Sequence, residues 1–155
     1  MPQSFKSFKE FFRSIQILHI AMFMGMALIM IVLKFIVGIE DQSAGDFLFP
    51  IIGIGMAMAG LIVGHLLFTH KINQLKRSNL AVRDRLTAYR EAFIIKLALL
   101  EGPALVCIIL HFLNGNPLLF YTYLFMLAMF GFARPTEKGI LEELRLHEED
   151  FSNTI

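Results

Sequence analysis

Long uncharged runs alternate with short polar breaks along this chain. Residues 14–33 contain no Asp, Glu, Lys or Arg, and neither do residues 47–70. A third uncharged run covers 102–133, broken by Asn114-Gly115-Asn116-Pro117, and the apolar stretch 92–112 carries only Lys96 and Glu101. A helix crosses a bilayer core of about 30 Å with about 20 apolar residues. Unpaired backbone groups are costly in hydrocarbon, so spans of this kind are helices. The pattern predicts an all-α fold, a four-helix transmembrane bundle with spans near 14–37, 47–69, 92–113 and 118–133. The last is the shortest and has little room to tilt. The first is longer than the apolar core of a signal peptide and lacks a clear Ala-x-Ala site, so it reads as a retained helix. Residues 1–133 form the bundle domain and 134–155 an acidic tail.

The flanking segments carry their own periodicity. Phe5, Phe8, Phe12 and Ile15 share one helical face, with Lys6, Lys9 and Arg13 on another. An interfacial amphipathic helix over 3–13 is expected, anchoring the chain to the bilayer. Leu86, Tyr89 and Phe93 recur at i, i+3 and i+7, so the third helix starts near Leu80, well before its apolar span. The second extends through Ile72 and Leu75. Ser78-Asn79 is the turn between them, with a residue type that caps the following helix. The product is a helical hairpin protruding from the membrane between spans 2 and 3. Pro135-Thr136 opens a last short segment with Ile140, Leu141 and Leu144 on one side and Glu142, Glu143, Glu148, Glu149 and Asp150 around it. A solvated tail is the ordinary outcome for such a charge run.

Composition sharpens this reading. The chain has 155 residues, 56% hydrophobic and 17% charged, against about 25% charged in a soluble domain. Disorder and a disulfide scaffold are excluded, the latter because Cys107 is the one cysteine. A net charge of +1 leaves no footprint for nucleic acid. Twelve of the 14 basic residues fall in the N-terminal stretch, the 71–90 loop and the tail. The connections 38–46 and 114–117 have none. The positive-inside rule then puts both termini and the hairpin in the cytoplasm, in a multi-pass protein of a cell (inner) membrane.

Glu101 is the most informative residue. If span 3 enters hydrocarbon near Ala92, Glu101 lies about 13.5 Å deep, close to the midplane. A carboxylate there is by default a candidate for function. Pro103 has no N–H for the Leu99 carbonyl, so Glu101, Leu99 and Pro103 form a candidate ion-binding group for a proton or sodium ion, with oxygen ligands of the kind hard cations take. The competing reading is a protonated Glu101 that bonds a neighbouring carbonyl and only holds helices together. Gly53, Ala57, Gly60 and Gly64 share one face of span 2, and Gly60-x-x-x-Gly64 is a helix-packing motif. Span 2 is therefore expected to cross span 3, or a neighbouring subunit, near Glu101. His19, His65 and Lys96 form a weaker candidate polar cluster near the cytoplasmic boundary; Lys96 is equally able to snorkel. No His or Cys spacing matches a metal site, and no Ser-His-Asp set or phosphate loop occurs. No catalytic residues, metal or cofactor are expected.

The stretch Lys96-Leu-Ala-Leu-Leu-Glu-Gly-Pro-Ala-Leu-Val-Cys-Ile-Ile-Leu-His-Phe-Leu113 resembles the ion-carrying helix of the proteolipid ring subunits of rotary ATPases. The glycine-rich run Ile-Gly-Ile-Gly-Met-Ala-Met-Ala-Gly over 52–60 resembles the helix that precedes it in that family. The resemblance covers 48–113 and implies a proton or sodium carboxylate at Glu101. It does not extend to ring assembly: the loop here is long and basic, and spans 1 and 4 lack glycine repeats. As a whole the chain looks like the small four-span proteins of bacterial inner membranes. Two function classes follow. The first is a non-catalytic subunit or scaffold of a membrane complex, with lipid, a membrane protein or copies of itself as partners. The second is proton or sodium translocation through Glu101.

Overall fold

The computed structural model describes residues 8–36 and 47–146, and every regular element among them is helical. α1 spans Phe8–Ile31 and continues as a π-helical stretch, Val32–Ile36; α2 spans Leu48–Arg77, α3 Val82–Asn114, α4 Pro117–Phe132 and α5 Glu137–Leu144. The first three are long and apolar enough to cross a membrane. α4 has 16 residues, about 24 Å. It counts as a fourth candidate span only together with α5, which leaves its axis at 75°.

α2 and α3 form the tightest pair, and glycine is the reason. A Cβ on Gly60 would collide with the Leu99 carbonyl oxygen and stand 2.7 Å from Pro103 Cγ. One on Gly64 would lie 3.3 Å from Leu99 Cβ. Pro103 leaves the Leu99 oxygen without its helical N–H, and Gly60 lets the α2 backbone approach that oxygen, where Cα–H groups give weak compensation. α3 nonetheless runs unbroken through Pro103. Farther along, Gly53 receives Leu119 of α4, and Cys107 Sγ donates to the Gly53 carbonyl at 3.4 Å.

α1 is held against α4 and α3 by polar bonds as well as packing. His19 Nε2 donates to the Phe130 carbonyl at 2.9 Å, and the Tyr123 hydroxyl donates to the Met26 carbonyl at 2.6 Å. Seven residues forward on α1 match seven backward on α4, as antiparallel neighbours require. α1 does not begin as a separate interfacial helix within the described residues. It runs unbroken from Phe8, with Phe11 and Ile15 fully buried and Phe8 and Phe12 partly so. The remainder of the amphipathic start, residues 3–7, lies outside the described residues.

The hairpin is present: α2 and α3 continue past their apolar spans, with Ile72, Leu75, Leu86 and Tyr89 buried between them. Its turn differs from the expected one. Ser78 ends α2, its hydroxyl donating to Leu75 O at 2.8 Å, and α3 starts at Val82 with Ala81 at its N-cap position and no side-chain cap. The helices that do carry N-caps are α4, through Asn116 Oδ1 and Leu118 N, and α5, through Thr136 Oγ1 and Gly139 N. Over Glu137–Leu144 the tail is docked, not solvated: Ile140 and Leu144 are buried, because their apolar stripe fits the side of the hairpin. Glu148, Glu149 and Asp150 lie outside the described residues.

Large apolar side chains cover the outside. Ile17, Ile20, Met24 and Leu28 line α1, Ile51, Ile62 and Leu66 line α2, and Phe125 and Phe132 line α4, all exposed. Apolar faces this continuous are untenable in water and match a multi-pass membrane protein.

Candidate functional site

Glu101 sits on α3 at the level of Met26 and Tyr123. It is half-buried, and its charge is close enough to act on the Tyr123 hydroxyl. That hydroxyl already donates to Met26, and among the described residues no hydrogen bond reaches the Glu101 carboxyl. Leu99 and Pro103 are elsewhere. Both face Gly60 on α2, while Glu101, two residues along from each, lies about 200° around the helix. The freed Leu99 oxygen is thus used to pack α2, and the carboxyl opens toward α4. Gly53, Ala57, Gly60 and Gly64 are all buried.

The three members of the weaker polar cluster have different fates. His19 is buried, bonded to Phe130 and stacked on its ring at 5.1 Å. Lys96 places its Nζ over the Phe68 ring, 4.4 Å from the centroid. His65 is exposed and lines a groove whose wall also includes Lys96. The Phe93 ring stands 6.4 Å from both His19 and Phe68. His65 and Lys96 therefore share one surface, and His19 belongs to another.

That groove is a substantial concave feature among the described residues, with His65 and Lys96 in its lining. It measures about 520 Å³, within the range of small-molecule sites, and runs between α2 and α4 over a floor of Lys96 and Leu100. Leu61, Leu66, Met129 and Phe132 make its walls apolar. It exists because α4 stops at Phe132 and the chain turns away into α5, leaving α2 without a neighbour there. A smaller notch of about 140 Å³ adjoins it, sharing Lys96, Phe132 and Ala133. The notch is polar: Arg134, Thr136, Tyr89 and Glu143 line it.

Tyr89 anchors the notch. Its ring stacks on Phe93 and meets Phe11 and Phe68 edge-on, and its hydroxyl donates to Glu143 Oε2 at 2.9 Å. Burial, then the Glu143 charge and the bond to it, push the Tyr89 phenol well above the ordinary tyrosine range. Glu143 also acts electrostatically on Lys96. The roles of Phe68, Arg134, Thr136 and Glu143 were not legible beforehand. The one local signal is that Glu143 sits beside Ile140 and Leu144 on the stripe that docks α5.

Comparison with protein-family models, with curated proteins and with solved structures finds no match to this chain. Its functional reading rests on the geometry above.

Proposed function

We propose that this protein is a non-catalytic subunit or scaffold of a membrane complex, a four-span bundle with both termini and the hairpin in the cytoplasm. The supporting observation is the braced hairpin. α1 reaches it through Phe11 against Tyr89, and α5 through Glu143 against the same tyrosine. A segment that only connected two spans would need no such bracing. Lys71, Arg77 and Arg83 are exposed on it, an arrangement that offers a rigid basic surface to an acidic partner. Inside the bundle, His19, Tyr123 and Cys107 are engaged in bonds that join helices, which suits a structural interior.

Cross-linking in native membranes tests this reading. With a photoreactive group at Asn79, the full chain is expected to give one discrete adduct of higher mass. Lys76→Glu with Arg77→Glu and Arg83→Glu is expected to abolish that adduct while the helical circular dichroism stays unchanged. A chain that stays uncross-linked and monomeric in its own membrane overturns the proposal.

A second reading, proton or sodium translocation, is favoured by one observation: the Glu101 carboxyl lies at mid-bundle depth, partly open, beside Tyr123. A hydrophobic carbodiimide is then expected to modify Glu101, and sodium or high pH to suppress the reaction. Labelling indifferent to both, with unchanged ion fluxes in Glu101→Gln, removes this reading.

A further inference from the structure

We infer that the groove and its notch together form a binding site for one anionic phospholipid, an acyl chain lying between α2 and α4 and its headgroup phosphate between Lys96 and Arg134. The two cavities meet at Lys96, so apolar wall and cationic end belong to one continuous channel. The groove opens sideways, and its own lining residues Ile62, Leu66 and Phe132 are exposed and apolar. An occupant reaching it from that side comes from the bilayer. Its polar end lies where α4 ends at Phe132 and the uncharged run 102–133 gives way to Arg134, the kind of boundary at which basic residues meet headgroups. Basic pockets between membrane helices at this level take anionic headgroups.

Charge complementarity selects the anion. Lys96 and Arg134 contribute two positive charges to the notch, and Glu143 one negative. Glu143 already accepts from Tyr89, which holds it on the α5 side. The Lys96 ammonium has the Phe68 face and the more distant Glu143 as its partners in the structure. A phosphate at the mouth of the notch completes its coordination. The Thr136 oxygen accepts from Gly139, so its own proton is free to donate to the same phosphate. A zwitterionic headgroup brings a compensating cation toward Arg134 and loses part of this gain.

The inference requires the chain to be embedded in lipid. It does not depend on the partner reading above, or on which side the hairpin faces, because a nanodisc presents the same lipid in both leaflets. The test uses the full chain in nanodiscs of phosphatidylcholine doped with either phosphatidylglycerol or more phosphatidylcholine. Lipid-retaining mass spectrometry counts the lipids that stay bound. One phosphatidylglycerol is expected to remain, with a preference over phosphatidylcholine of about thirtyfold for two cations acting together. Lys96→Gln with Arg134→Gln is expected to bring the preference to near unity, and Lys96→Arg to keep it. Met129→Trp, which fills the groove and leaves both cations, is expected to expel either lipid. Each preference is a ratio within one variant, so a general loss of stability does not mimic the result. Equal preference in wild type and the double variant overturns the inference. So does retention unchanged by Met129→Trp, or displacement of the lipid by inorganic phosphate alone, which marks a headgroup site without a chain.

Discussion

The Tyr89 hydroxyl and Glu143 Oε2 stand 2.9 Å apart, joining helix α3 to helix α5 across 54 residues of sequence. Tyr89 is 3% exposed, so this phenol has given up water and depends on the carboxylate. The bond connects the membrane hairpin to the segment that follows the last apolar helix, and it sets the floor of the notch.

Tyr89→Phe removes that bond and keeps the ring. A hydrogen bond to a charged acceptor contributes about 1.5–3 kcal/mol net. The expected outcome is faster proteolysis and faster amide exchange over residues 137–144, with α2, α3 and α4 unchanged. Exchange spread evenly over the whole chain, or none gained in α5, contradicts the role given to this pair.

The same pair makes docking sensitive to alkali. In the folded protein the Tyr89 phenol holds its proton above the ordinary value of 10.0, from burial first and the Glu143 charge second. The free phenol loses its proton near 10. The contribution of Tyr89 is therefore complete below that pH and declines as pH rises toward the folded value. Thermal melting of detergent-solubilised protein is expected to fall more steeply above pH 10 in wild type than in Tyr89→Phe. Parallel slopes would count against it.

Three glycines of α2 should respond to alanine in a fixed order. Gly60→Ala drives a methyl into the Leu99 carbonyl oxygen, which is backbone and cannot step aside. Overpacking of this sort costs about 1–3 kcal/mol. Gly64→Ala meets Leu99 Cβ at 3.3 Å and is milder; Gly55→Ala has nothing within 4 Å and gains about 1 kcal/mol of helix propensity at most. Unfolding in graded detergent mixtures ranks them, and an equal response at Gly60 and Gly55 is incompatible with the close α2–α3 approach.

α1 should be the first helix to loosen. Two side-chain bonds tie it to α4, from His19 to Phe130 and from Tyr123 to Met26. Tyr123→Phe is expected to cost about 0.6 kcal/mol, the mean for such bonds between membrane helices. His19→Ala is expected to cost more, since it also vacates the space between the Phe93 and Phe130 rings. Cross-linking yield between cysteines introduced at Met22 and Leu127 in Cys107→Ser reports the separation, and it should fall most in the double variant.

Sidedness is checked with single cysteines in the same Cys107→Ser background. Asn79→Cys is expected to react with an impermeant maleimide only from the cytoplasmic side, and Leu113→Cys only from the opposite one. Labelling of both from one side defeats the four-span arrangement.

Much of this fold is written along the chain, because the forces involved are local and one-dimensional. Uncharged runs of membrane length at 14–33 and 47–70 require helices wherever water is absent. The period of Leu86, Tyr89 and Phe93 announces the extended start of α3, and the Gly53–Gly64 stripe announces the close face of α2. What the chain could not declare is which groups meet. Leu99 and Glu101 are two residues apart, yet helix rotation sends the Leu99 oxygen to Gly60 and the carboxyl to Tyr123. His65 and Lys96 share one surface and His19 lies on another, because the Phe93 ring stands between them. The groove arises from a mismatch of lengths, α4 ending while α2 continues, and its notch from α5 turning back onto Tyr89. Those contacts span tens of residues and depend on azimuth and relative height, which no local pattern of hydrophobic and polar positions encodes.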